Sequence, residues 1–214
     1  MAGVVAAVLG VSYLLGAIPF GLLIGRAVGV DPREAGSGNI GATNVARTAG
    51  TRWGLLTLAL DFLKGAAAPV AAVFMAPQLP WLAPAAGLAA LLGHVFPAYL
   101  GFKGGKGVAT AAGAFAALAP LPFGLALASF GVTAGLTRTV ALGSLVSAVV
   151  LVVACLALGA PALVSGLAGV AAALIFVRHA SNIRRLVERR GNAAAESFEA
   201  KAASPESGAE DARS

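Results

Sequence analysis

The sequence predicts an all-α membrane protein of about seven transmembrane helices, two of them short, with the N-terminus outside and the C-terminus cytoplasmic. Three observations carry that prediction. The 214 residues are 58% hydrophobic and only 11% charged, with a mean hydropathy of +0.87, a composition that excludes an ordinary soluble domain. The apolar residues fall into successive runs separated by short charged or Gly/Pro breaks, so the chain recrosses a bilayer rather than anchoring a soluble head. Positive charge is segregated: with seven crossings, Arg26, Arg33, Arg47, Arg52, Lys103, Lys106, Arg138, Arg178, Arg184, Arg185, Arg189 and Arg190 all fall on one side, and the turns on the other side hold no Lys or Arg. The positive-inside rule makes the basic side cytoplasmic.

The runs are residues 3–27, 51–76, 80–100, 107–119, 122–137, 140–158 and 161–180. The first has no basic residue before it and outlasts the apolar core of a signal peptide, so it reads as a retained helix. Within the second, Asp61 and Lys64 stand three residues apart; intramembrane charges are costly, and the two are expected to neutralise one another. His94, in the third, reads as a core histidine. The fourth and fifth runs fall short of the ~20 residues of a perpendicular span and read as tilted or buried spans around a turn at Pro120 and Pro122. A re-entrant hairpin there would send the basic end of the last helix to the opposite side, which favours seven crossings.

Cys155, the only cysteine, lies in the sixth run, so neither a disulfide nor a thiolate cluster is available. Two histidines and one intramembrane acid are too few ligands for a metal site. The net charge of +6 comes with no basic stripe interleaved with aromatics, which argues against nucleic acid. The membrane domain is expected to span 1–190; residues 191–214, rich in Ala, Ser, Gly and Glu, read as a disordered cytoplasmic tail.

Two glycine-rich polar loops interrupt the apolar pattern. The first runs Gly36, Ser37, Gly38, Asn39, Ile40, Gly41, Ala42, Thr43, Asn44 and is followed by Arg47; the second runs Lys103, Gly104, Gly105, Lys106, Gly107. Irregular backbone in a membrane protein faces water, protein or a ligand, and converging N–H groups can cradle an anion. The competing reading of the first loop is a helix cap, with Thr43 or Asn44 as N-cap of the second helix. The second loop places Lys106 at a helix start, where anions are favoured. It differs from a nucleotide-binding P-loop in spacing, and Gly107 stands where Ser or Thr is required. A third polar patch, Arg178, His179, Ser181 and Asn182, closes the last helix on the same predicted side; helical spacing puts His179 near Asn182.

In their order along the chain, the three patches resemble the motifs of the bacterial acyl-phosphate:glycerol-3-phosphate acyltransferases, and the likeness runs to about Arg190. Gly36 to Asn44 with Arg47 is similar to that family's first motif, Gly93-His94 through Gly107 to its second, and Arg178-His179 to Asn182 to its third. The His-x4-Asp motif of thioester-dependent acyltransferases is absent, since Tyr99 and Arg184 stand five residues after the two histidines.

The resemblance implies a cytoplasmic active site that takes an acyl phosphate donor and the acceptor sn-glycerol 3-phosphate, with lysophosphatidate and phosphate as products and no cofactor. The enzyme that makes acyl phosphate is the implied partner. By analogy Arg47, Lys106, Ser37 and Asn182 hold the acceptor's phosphate. The N–H groups from Gly38 through Asn39, Gly41 and Ala42 to Thr43 meet the donor's; Asn44, Lys103, Gly104 and Gly105 complete the binding loops; and His179 orients or deprotonates the attacking hydroxyl. Ser37 has a competing role as an acyl-enzyme nucleophile. A small-anion transporter is the alternative activity, and a non-catalytic scaffold a third. Transporters generally gather their binding residues near the bilayer midplane, whereas these patches gather at one interface.

Overall fold

The computed structural model describes residues 1–184, and every element among them is helical. Arg185, Arg189, Arg190 and the tail expected over 191–214 lie outside the described residues. Helices α1 (Ala2–Ala17) and α2 (Phe20–Ala27) come from the first apolar run; α3 (Ala42–Thr48) and α4 (Thr51–Met75) follow. Then come α5 (Leu82–Val95), α6 (Val108–Leu118), α7 (Pro120–Thr137), α8 (Val140–Ala157) and α9 (Ala162–Arg178). Five stretches are long and apolar enough to cross a membrane: Ala2–Ala27, Thr51–Met75, Leu82–Leu100, Pro120–Thr137 and Val140–Ala157; Val108–Leu118 and Ala162–Arg178 are shorter.

The seven apolar stretches match the seven expected, with three differences. The first run is broken at Ile18-Pro19, because proline has no N–H to continue the ladder and its ring crowds the preceding turn. The fifth starts on Pro120 and reaches 18 residues, since proline is well tolerated where a helix N–H has no partner. The second short helix is therefore the last, at 17 residues. Thr43 and Asn44 do not cap α4; they lie inside the seven-residue α3, which starts after Gly41, while Gly50 precedes α4.

Within the unit Met1–Arg178, α4 packs along α6 and α5, α1 along α5, and α7 along α8, with α9 against α8. In lipid such packing relies on close contact rather than on hydrophobic expulsion, which favours small residues where helices cross. At the α4–α6 crossing a Cβ on Gly65 would strike the Thr110 carbonyl, and one on Gly113 would strike the Phe62 carbonyl. The core is correspondingly built from Val8, Ala68, Ala72, Ala76, Leu82, Ala83, Ala86 and Ala90. Leu55, Leu63, Phe74 and Leu136 point outward, as a lipid-facing surface requires. A second unit begins at His179.

Candidate functional site

The first loop is tied together from inside. Asn44, only 3% exposed, accepts the Ser37 N–H at 2.8 Å on Oδ1 and donates from Nδ2 to the carbonyls of Pro32 (2.8 Å) and Ala35 (3.0 Å). Asn39 Oδ1 accepts the Gly41 N–H at 2.8 Å, and the Gly38 N–H donates to the Ala35 carbonyl at 3.1 Å. Gly36 has φ 63°, and a Cβ there would collide with Asn44 Oδ1. These bonds occupy the N–H groups of Ser37, Gly38 and Gly41. The amides of this loop left to meet an anion, among the described residues, are those of Gly36, Asn39, Ile40, Ala42 and Thr43, the last two at the start of α3. Thr43 and Arg47 are exposed; Ser37 and Asn39 are half-buried.

The approach to this loop is ordered by Asp31. Its carboxylate accepts from the Arg33 guanidinium (2.6 and 3.0 Å), the Arg33 N–H (3.0 Å) and Arg26 (3.1 Å). The Arg33 side chain, aided by that N–H and by Arg26, holds the Asp31 carboxyl well below the usual carboxylate range despite an opposing contribution from burial.

The second loop is tied from outside. The N–H groups of Gly104 and Gly105 donate to the carbonyls of Val95 (3.2 Å) and His94 (3.1 Å), which end α5 and have no partner within that helix. Their own carbonyls are taken by Arg178 at the end of α9: Nε donates to Gly105 at 3.1 Å and Nη2 to Gly104. Both peptides are thus held on both faces. Gly107 (φ 81°) then caps the start of α6, which places Lys106 one residue before that helix N-terminus, the end that favours anions.

Between the loops lies the break in the first helix. Lys64 Nζ donates to the Ile18 carbonyl at 2.8 Å, which caps the negative end of α1, and stands 5.4 Å from the centre of the Phe20 ring. It also lies 2.7 Å from Asp61 Oδ1, with His94 Nδ1 3.6 Å from the same oxygen. The Asp61–Lys64 contact is an ion pair rather than a directed hydrogen bond, since Oδ1 has no hydrogen-bond partner. Asp61, Lys64 and His94 line one pocket with Ile18, Pro19, Ile40 and Pro97. Ile40 brings the first loop to this pocket, whereas the second loop does not line it and meets only the His94 ring, at Gly105.

Among the residues predicted for the site, Ser37 to Asn44 with Arg47 therefore form one preorganised element, and Lys103 to Lys106 another. Asn44, Gly104 and Gly105 serve as its framework. Arg178, read from the sequence as part of the third polar patch, is the clamp of the second loop. His179 and Asn182 open the second unit, in which the His179 carbonyl accepts N–H groups from Asn182 (2.8 Å) and Ile183 (2.9 Å). The contact between His94 and Gly105 is the part sequence reasoning missed. The Lys64–Ile18 contact, by contrast, had a signal in Pro19 inside an apolar run, which exposes the Ile18 carbonyl. Among the described residues no group of three or more His, Cys, Asp or Glu could hold a metal.

The fold and these loops define a polytopic helical membrane protein with a preorganised, cationic, glycine-lined polar site. The family model for glycerol-3-phosphate acyltransferase matches residues 6–189, and the chain belongs to that family of phospholipid synthesis. Its relatives include the glycerol-3-phosphate acyltransferase of Geobacter sulfurreducens, 48% identical over 182 residues, with 85% of this chain and 93% of the relative covered. That of Jannaschia sp. is 49% identical over 181 residues, with coverage of 83% and 86%. The fold is similar to crystal structures of PlsY, an integral membrane glycerol 3-phosphate acyltransferase. Its glycerol 3-phosphate form gives a TM-score of 0.83 at 40% identity, with coverage of 87% and 93%. Its lysophosphatidic acid form gives 0.81 at 39%, with the same coverage.

Proposed function

We propose that the chain transfers an acyl group from acyl phosphate to the 1-hydroxyl of sn-glycerol 3-phosphate, at the cytoplasmic face of the plasma (inner) membrane. The observation that supports this reading is the pair of glycine loops whose backbones are fixed by buried hydrogen bonds, each carrying or followed by a cation, Lys106 or Arg47. Two loops suit two phosphoryl groups, one on each substrate. The solved relatives are described in a glycerol 3-phosphate form and a lysophosphatidic acid form, an acceptor and a product of such a transfer. The predicted segregation of Lys and Arg supports the cytoplasmic side.

An acyl phosphate is a mixed anhydride and already activated. The acceptor's 1-hydroxyl oxygen attacks the acyl carbon, the carbon–oxygen bond to phosphate breaks, and phosphate leaves with the bonding electrons. The hydroxyl proton passes to a base, either His179 or a phosphate oxygen. No covalent enzyme intermediate is needed, because positioning and charge stabilisation supply the rate. Arg47, Lys106, Ser37 and Asn182 are assigned to the acceptor's phosphate, and the amides of Asn39, Ile40, Ala42 and Thr43 to the donor's. Asn44, Gly104 and Gly105 hold those groups in place.

The test is purified protein in detergent with acyl phosphate and glycerol 3-phosphate, following phosphate release. Release that requires the acceptor, with acyl-CoA inert, is expected; release indifferent to the acceptor, or equal use of acyl-CoA, overturns the reading. Lys106→Ala and Arg47→Ala should each raise KM for glycerol 3-phosphate at least about tenfold. Ser37→Ala should retain substantial turnover, whereas a trapped acyl-Ser37 would establish a nucleophile instead.

A further inference from the structure

Building on the second loop as a phosphate clamp, we propose that Asp61 and His94 are its positioning residues: the buried carboxylate aims the imidazole, and the imidazole edge seats Gly105, which holds Lys106 at the start of α6.

Three ionisable groups are gathered in a membrane bundle, where each is costly. Asp61 and Lys64 are each 3% exposed and His94 is 7% exposed. Lys64 has a structural use, capping α1 through the Ile18 carbonyl. Asp61 balances that charge, and a simple pair would need no third member. Yet the Asp61 oxygen nearest Lys64 also faces His94 Nδ1, at 3.6 Å. That separation exceeds hydrogen-bond length, so the carboxylate acts on the ring as a fixed charge beside its Nδ1 edge.

The opposite edge of the ring faces the loop. A Cβ at Gly105 would fall on His94 Nε2, with Cε1 and Cδ2 the next nearest atoms at 3.0 and 3.1 Å. The ring thus occupies the space a side chain at 105 would need, and the Gly105 N–H is bound to the carbonyl of the same histidine. From the other side Arg178 takes the Gly104 and Gly105 carbonyls. Lys106, the next residue, inherits its position from a peptide gripped between an imidazole and a guanidinium. A purely structural ion pair has no reason to end on the loop that bears the substrate-binding lysine.

The experiment is steady-state kinetics and thermal unfolding of the full chain in detergent, for Asp61→Asn, His94→Ala, Gly105→Ala and the pairwise doubles. Each single is expected to raise KM for glycerol 3-phosphate about tenfold, with saturated kcat within about threefold. The doubles are expected to be no worse than the singles: a methyl at 105 occupies space the ring has left, and Asp61 acts only through the ring. Independent effects would multiply to about a hundredfold, and that result overturns the proposal. So does a His94→Ala variant that lowers kcat at unchanged KM, or an Asp61→Asn variant that lowers Tm at unchanged KM. Asp61→Asn leaves the Lys64 ammonium buried without its counter-ion, so Asp61→Asn/Lys64→Met provides a neutral version should the single not fold. Lys106→Ala is measured alongside. If it leaves KM unchanged, the phosphate-clamp reading fails, and the positioning chain is judged on Tm alone: coupled Tm losses at 61, 94 and 105 support it, additive ones refute it.

Discussion

The two glycine-rich loops reach the same condition, a fixed backbone beside a cation, by opposite routes. The first carries its own staples: Asn44 and Asn39 lie within the loop sequence and bind its backbone at Ser37, Gly41, Ala35 and Pro32. The second has no polar side chain except its lysines. It takes its order from the end of α5 and from Arg178, more than seventy residues away in sequence. A locally stapled loop responds to substitutions within itself, whereas a remotely clamped one depends on how α5, α6 and α9 pack.

The largest effect expected from breaking this contrast is at Arg178. Its guanidinium makes two charge-assisted hydrogen bonds in a fork that no other side chain reproduces. Allowing for its partial exposure, Arg178→Ala should cost about 2–4 kcal/mol of stability and lower kcat/KM by about a hundredfold or more. Arg178→Lys should recover little, because one ammonium cannot hold both carbonyls in the same geometry. Kinetics and thermal unfolding of the two variants check this; near-normal activity of the lysine variant would show that charge alone is required.

Next in size is Asn44→Asp. The substitution keeps the acceptor for the Ser37 N–H, loses both donations to Pro32 and Ala35, and sets a carboxylate against their carbonyls. A cost of about 2 kcal/mol and a roughly tenfold fall in kcat/KM are expected. Combined with Arg178→Lys, the losses in kcat/KM should multiply, as they do for independent elements. A double variant no worse than its poorer single would mean that the loops are one device rather than two.

This contrast also explains what could be read from the chain. Hydropathy runs located all seven apolar helices to within a few residues, because lipid exposure forces long uninterrupted apolar segments. The first loop was legible because its glycines, asparagines and following arginine are contiguous. The function of Arg178 was not, since nothing local distinguishes an arginine that marks membrane sidedness from one that holds a loop 73 residues upstream. The same holds for His94: the sequence shows a histidine in an apolar run, and only the α5–α6 connection brings Gly105 onto its ring. The break at Pro19 was readable by rule, but its consequence, a carbonyl capped by Lys64, required the α1–α4 packing.

The smallest effect is expected at Asp31, on the approach to the first loop, and it tests whether that loop is self-sufficient. Its ion pairs are with Arg26 and Arg33, whose side chains are 58% and 41% exposed, so solvent screens them strongly. The Asp31 carboxyl is held below its unfolded value, near about 3.9, chiefly by the Arg33 hydrogen bond. Its contribution is therefore fully present above that value and disappears only as pH falls through the lower folded one. Between about pH 5 and 8, where histidine titrates, Asp31 stays ionised and adds no slope to a pH–rate profile. Asp31→Asn keeps an oxygen for the Arg33 N–H, and should leave KM within about twofold and Tm nearly unchanged. If it instead matched Asn44→Asp in cost, the first loop would depend on the charges around its approach, and the distinction between a stapled and a clamped loop would fail.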